Sequence, residues 1–277
     1  MHGQTINDLV VGEAKKQAGG FTFTEGPSPD KEGNVYFTDQ PNNKIHVWHT
    51  NGKTAVFMDG TRRSNGTFFD NEGNLISCAD EKNQLVKITL AKKINVLADG
   101  FEGKLFNGPN DVWVHPDGGY YFTDSYYKRP WWDHKEQPQP VRGVFYLSAD
   151  TETLIRVIDD YEMPNGIIGT PDGKTLYVAD INAGETWAYD INADGTLSNK
   201  RFFAPEGSDG MTIDQEGNVY LTNTAVSVFN PKGEKIGTIE IPETPANVCF
   251  AGKDRKMLFV TARTSVYTVP MKVAGAY

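Results

Sequence analysis

Cysteine is nearly missing from this chain: two residues, Cys78 and Cys249, among 277. That count excludes a disulfide framework. Each cysteine lies in an apolar, strand-like run (Leu75-Ile76-Ser77-Cys78 and Asn247-Val248-Cys249-Phe250), so both are expected as buried core thiols. Histidine is also scarce. The five residues show no metal-ligand spacing, which argues against a zinc site, and His46 and His49 read as surface positions on a strand. Positive charge is in deficit, with 27 Lys and Arg against 36 Asp and Glu and a net charge of −9. No nucleic-acid partner is therefore expected, because such a partner demands a basic patch or stripe. No long apolar run is present and mean hydropathy is −0.48, so no membrane span is expected. The opening Met-His-Gly-Gln-Thr lacks a basic or apolar leader, which predicts a soluble, cytoplasmic protein unless a leader was removed from an exported form. There is no Gly-x-Ser-x-Gly elbow and no Gly-rich phosphate loop. Helical periodicity is almost absent. The nearest case, around Val11–Lys16, reads equally well as an outer strand.

What the chain does have is turns and aromatics: 28 Gly, 15 Pro and 12% Phe, Trp and Tyr, a composition that suits many short strands. One phrase recurs six times, a turn with Asp and Gly followed by an alternating strand. It reads DKEGNVYFTD, DNEGNLISCAD, PDGGYYFTDS, PDGKTLYVAD, DQEGNVYLTN and, decayed, KDRKMLFVTA. The marker positions are Gly33, Gly73, Gly118, Gly173, Gly217 and Arg255, at intervals of 40, 45, 55, 44 and 38 residues. A period near 40–45 residues built of strands is that of a four-stranded propeller blade. The prediction is an all-β chain: a six-bladed β-propeller of four-stranded antiparallel blades around a central channel. It is expected to be one domain over 1–277, with the N-terminal segment supplying a strand to the last blade. The third unit carries an excess around Tyr126–Arg142, rich in polar and aromatic residues, and a long loop on a rigid scaffold is a common seat of function.

Counting eight residues back from each marker gives Glu25, Asn65, Asn110, Asn165, Asp209 and Asn247. All six carry a side-chain oxygen, which chance at ordinary composition would give well under about one time in a hundred. Asn-Gly and Asp-Gly are also turn residues, a reading that explains Glu25 poorly. Equivalent positions in a propeller lie on a circle about its axis, so six oxygen-bearing side chains would converge at one mouth of the channel. Two carboxylates in a confined place repel, and a bound cation relieves that repulsion. An all-oxygen set points to a hard divalent ion, and amide carbonyls with few carboxylates suit Ca²⁺.

Four segments in this order, Phe23-Thr24-Glu25-Gly26-Pro27, Pro109-Asn110-Asp111, Pro164-Asn165-Gly166 and Ser208-Asp209-Gly210, resemble the gluconolactonase family of six-bladed propeller hydrolases, which includes senescence marker protein (regucalcin). The resemblance runs from about Gly20 to Val269; squid diisopropylfluorophosphatase is similar at greater distance. It implies one divalent cation, usually Ca²⁺ with Mg²⁺, Mn²⁺ or Zn²⁺ as alternatives, held by Glu25, Asn110, Asn165 and Asp209. It further implies Asp209 as the base in lactone hydrolysis, a small-molecule lactone as substrate, and Asn65 and Asn247 as substrate or supporting contacts. Trp131 and Trp132 are candidates to roof the site and touch substrate. Some family members carry Arg where this chain has Gly108, and Arg62, Arg63, Arg129 and Arg142 are the candidates to replace it. Two rival readings use the same ring: a phosphotriesterase-like hydrolase, and a non-catalytic ligand-binding propeller with a structural Ca²⁺. A monomer or a dimer fits either.

Overall fold

The computed structural model describes residues 4–277; residues 1–3, His2 among them, lie outside that range. A four-residue helix, α1 (Ile6–Leu9), precedes β1 (Lys15–Gly19). Blade one is β2 (Thr24–Pro29), β3 (Val35–Asp39), β4 (Lys44–Trp48) and β5 (Thr54–Asp59). Blade two is β6 (Ser64–Phe69), β7 (Leu75–Ala79), β8 (Gln84–Ile88) and β9 (Ile94–Ala98). Blade three is β10 (Pro109–Val114), β11 (Tyr120–Asp124), β12 (Gly143–Leu147) and β13 (Leu154–Ile158). Blade four is β14 (Pro164–Gly169), β15 (Thr175–Asp180), β16 (Glu185–Ile191) and β17 (Leu197–Ala204). Blade five is β18 (Met211–Ile213), β19 (Val219–Thr222), β20 (Val226–Phe229) and β21 (Lys235–Ile239). The last sheet contains β22 (Pro245–Ala251), β23 (Met257–Ala262) and β24 (Ser265–Pro270), and its outermost strand is β1, paired antiparallel with β24.

The recurring phrase has a local physical cause. In three copies the leading aspartate accepts two backbone N–H groups across the turn and a side-chain amide four residues on: Asp30 with Glu32, Asn34 and Asn34 Nδ2; Asp70 with Glu72, Asn74 and Asn74 Nδ2; Asp214 with Glu216, Asn218 and Asn218 Nδ2. The marker residue takes a left-handed backbone in all six turns, with φ between 57° and 98°. Glycine suits that conformation, and Arg255 is the one side chain that tolerates it here. Asp214 is 2% exposed and also accepts the Tyr220 hydroxyl. Its replacement by Ala strands four donors and should cost about 1–3 kcal/mol in urea unfolding. Asp254, on the surface with one N–H to hold, should cost far less. Equal losses would mean that the turn hydrogen bonds do not set blade stability.

The core lies between blades, where the second strand of one blade packs on the innermost strand of the next. Cys78 and Cys249 are both buried and unpaired by disulfide, as expected. His46 departs from its surface reading: it is 8% exposed, stacked on Phe37 and edge-on to Phe21. The position faces the adjoining blade, a burial that strand alternation within one blade does not reveal. At the end of the channel away from the ring of oxygens, the Tyr277 hydroxyl donates to the Gly169 carbonyl and accepts from Trp113 Nε1, with Phe68 against its ring.

Candidate active site at the channel mouth

The innermost strands β2, β6, β10, β14, β18 and β22 pack around one axis, each against the next. Five of them break register at the same place: Glu25/Ser28, Ser64/Thr67, Pro109/Val112, Pro164/Ile167 and Pro245/Asn247. A bulge re-aims a side chain that a regular strand would send into the sheet. The glycine that follows several ring residues is there for the neighbouring blade. A Cβ on Gly66 would meet Asp111 and the Asn110 carbonyl, and one on Gly210 would fall on the Asn247 amide. The Asn-Gly and Asp-Gly pairs are therefore sites of close approach between strands rather than turns.

The structure brings the six predicted residues together. Asn247 Nδ2 donates to Glu25 Oε2 at 3.0 Å, Asn165 Nδ2 to Asp209 Oδ1 at 2.9 Å, and Asn65 Nδ2 to the Asn110 carbonyl at 3.1 Å. Glu25, Asn65, Asn110, Asn165 and Asn247 are buried, while Asp209 is partly exposed at the mouth. A third carboxylate joins them. Asp111 is 5% exposed, and its Oδ2 accepts from Asn247 Nδ2 at 3.3 Å. Spacing did not single it out, yet the sequence carried a signal: Asp111 stands where four other ring copies have glycine. Below the ring, a cavity of about 30 Å³ is lined by Asp111, Thr67, Thr212 and Asn247, room for about one water.

Electrostatics follow from this crowding. Burial, then the charges of Asp209 and Asp111, push the Glu25 carboxyl well above the usual range. Asp111 is raised well above its ordinary value by burial, against the Val112 N–H that it accepts. Burial takes Asp209 to about 6, opposed by the Asn165 hydrogen bond and by the charges of Arg263 and Arg129. Three carboxyls confined together thus resist ionising side by side, with Arg263 and Arg129 offsetting only part of that cost at Asp209.

The donor set also fits a cation. Asn65 Oδ1 and Asn165 Oδ1 are buried acceptors without a hydrogen-bond partner, while the amide nitrogens beside them are satisfied. Native proteins rarely leave such oxygens orphaned. Among the described residues, no group of three or more His, Cys, Asp or Glu has metal-holding geometry. Any ion here would depend on amide oxygens, which is hard-cation chemistry.

The long loop of blade three, between β11 and β12, folds beside the mouth. The Tyr127 hydroxyl accepts from Asn165 Nδ2 at 2.6 Å, a contact that sequence reasoning did not anticipate. Trp132 is 3% exposed and donates Nε1 to the Asp80 carbonyl at 2.6 Å. Its ring stands over Gly108, where a Cβ would come within 2.7 Å of Cη2, so the space a side chain at 108 needs is taken by indole. Trp131 lies half-buried between two guanidiniums, 4.4 Å from Arg63 and 5.5 Å from Arg129.

Fold and site together define a six-bladed propeller with an oxygen-rich axial centre. A model of the SMP-30/Gluconolactonase/LRE-like region matches residues 23–264, and the chain belongs to that family. It is 28% identical over 284 residues to a gluconolactonase from Zymomonas mobilis subsp. mobilis, across 91% of this chain and 80% of that one. A chain solved by X-ray and assigned to the gluconolactonases is 31% identical with a TM-score of 0.91, covering 98% of this chain and 97% of its own. A gluconolactonase from Xanthomonas campestris is 26% identical with a TM-score of 0.87, covering 93% and 89%. No helix among the described residues is long and apolar enough to cross a membrane.

Proposed function

We propose that the protein is a divalent-cation-dependent lactonase whose site is the axial ring. The observation that carries this reading is the convergence of Glu25, Asp111 and Asp209 with two orphaned amide oxygens at one channel mouth, in a chain whose relatives include gluconolactonases. Glu25, Asn110, Asn165 and Asp209 would hold the ion, and amide-rich ligation favours Ca²⁺ over Zn²⁺. When bound, the ion supplies Lewis acidity toward a carbonyl oxygen.

The chain's own residues do the rest. Asn165 Nδ2 fixes Asp209 Oδ1, which leaves the other oxygen for a water. Asp209 is held in place by Asn165, and because a cation that it helps to hold would favour its ionised form, its value as a base is positional as much as intrinsic. It takes a proton from water as the oxygen attacks the lactone carbonyl carbon. The ring C–O bond then breaks, the departing alkoxide recovers a proton, and the product is a hydroxy acid. Glu25 is pinned by Asn247 and by the Gly26 N–H, which suits a fixed ligand better than a mobile base.

The test is to strip the protein with a chelator and add back Ca²⁺, Mg²⁺, Mn²⁺ or Zn²⁺ against a panel of sugar lactones. Turnover that is lost on stripping and restored best by Ca²⁺ is the expected result. Tight Ca²⁺ binding with no turnover of lactones or phosphotriesters would overturn it in favour of a structural ion in a binding propeller.

A further inference from the structure

A repeat out of step marks a second feature of the mouth. In blades one, three and four, the aspartate that ends the second strand accepts two backbone N–H groups from the segment leading into its own blade. Asp39 holds Thr22 and Phe23, Asp124 holds Asn107 and Gly108, and Asp180 holds Glu162 and Met163. Asp39, Asp124 and Asp180 pair in register with Thr24, Pro109 and Pro164, each one residue before a ring oxygen. In blade two the residue in that register, opposite Ser64, is Ala79, and the aspartate comes one position later as Asp80. One step along the chain turns a side chain away from its former partners. Asp80 makes neither backbone bond. It accepts Arg129 Nε at 2.6 Å and Gln40 Nε2 at 2.8 Å, and so ties the blade-three loop across to blade two.

The segment that the Asp80 carboxylate does not hold is Arg62-Arg63, both with left-handed backbone, where Asn43 Oδ1 accepts the Arg63 N–H and the Asp80 N–H donates to the Arg63 carbonyl. Arg63 and Arg129 thereby meet around Trp131, two guanidiniums against the single carboxylate of Asp80, which is 2% exposed. Arg129 also lies 5.2 Å over the Tyr127 ring, whose hydroxyl reaches Asn165. One tyrosine thus separates a net-positive lobe from the carboxyls of the axial ring. The Nη groups of Arg129 make no hydrogen bond within the described residues, and Arg63 uses only Nη1, on the Pro41 carbonyl. This lobe presents donors in excess of acceptors, and paired guanidiniums recognise oxyanions.

We propose that Arg63, Trp131 and Arg129 form an oxyanion-recognition subsite beside the axial centre, so that the preferred lactone carries a carboxylate or a phosphate remote from its carbonyl. The subsite rests on the lactonase reading for its substrate but not for its ligand. Asp80 is a positioning residue that aims Arg129.

The experiment compares three lactones that differ at one carbon: a neutral hydroxymethyl form, the same compound oxidised to the carboxylate, and its phosphate ester. Expected is a KM about tenfold or more lower for one of the charged forms, as loss of a charge-assisted contact implies. That advantage should shrink as salt is raised. Arg129→Gln and Arg63→Gln should each collapse the ratio of charged to neutral kcat/KM, and Arg129→Lys should keep part of it. The better charged form identifies the carboxylate or the phosphate as the natural group. A wild-type enzyme without preference overturns the subsite, and so does an Arg129→Gln loss equal on all three substrates, which marks a merely structural loop.

A second readout needs no turnover: quenching of tryptophan fluorescence by the open-chain dicarboxylate or phosphorylated hydroxy acid, set against the simple hydroxy acid. Selective quenching that Arg129→Gln abolishes, in a protein that opens no lactone, would uphold the subsite and sink the lactonase reading. No selective quenching would sink the subsite alone.

Discussion

Asp209→Asn is expected to lower lactone turnover by about 10²- to 10⁴-fold with the ring still folded, the range that loss of a general base produces. The substitution is nearly isosteric and keeps an oxygen able to face a cation. Asn165, which now donates to Asp209 Oδ1, retains an acceptor there. One negative charge also leaves a cluster in which Asp209 repels both Glu25 and Asp111. Thermal stability should therefore hold or rise while kcat falls, and that opposition separates a chemical role from a structural one. The measurement is kcat at saturating cation, with a melting curve on the same sample. If the variant keeps more than about a tenth of the rate, less than one decade of the expected loss, the base lies elsewhere. Asp111 would be the next candidate, because it faces the same mouth and is held by Asn247.

The blades and the ring were legible because both are periodic. An Asp-turn that binds its own backbone writes the same letters into each copy, and a strand break that aims an oxygen at the axis falls at a constant offset from that turn. Departures from the period were harder to read. Asp111 replaces the glycine of its neighbours, and Asp80 sits one residue late in an eleven-letter copy of a ten-letter phrase. Both were visible as irregularities, but their meaning depended on what the adjoining blade brings to that point. Tyr127, Arg129 and Trp132 depended on the path of a loop with no internal repeat, and nothing in their spacing states that path. Among the arginines considered as substitutes for a side chain at Gly108, Arg63 and Arg129 gather at Trp131, whereas Arg142 is turned to Gln137 and the Glu162 carbonyl. His46 was misread for a related reason, since its burial comes from packing between elements that strand alternation treats separately.

The cation-stripped protein should lose stability as pH rises from about 4 through about 6, where most carboxylate-bearing proteins gain it. Asp209 has an ordinary value of 3.8 and a folded value of about 6. Between those limits the folded chain holds a proton that the unfolded chain has released. Unfolding therefore liberates a proton, and raising the pH favours unfolding. The contribution is fully favourable below 3.8 and fully lost above about 6. Glu25 and Asp111, raised further in the same direction, extend the window upward. A melting series in a chelator should place Tm several degrees higher at pH 5 than at pH 8. Adding Ca²⁺ should reverse the order, because a divalent ion replaces the protons and binds best when all three carboxylates are ionised. Glu25→Gln should flatten the slope in chelator and weaken the Ca²⁺ response together, since one carboxylate underlies both. A stripped protein whose Tm climbs steadily from pH 4 to 8 would show that the carboxylates are solvated rather than confined, and the axial ring would then have no electrostatic need of a cation.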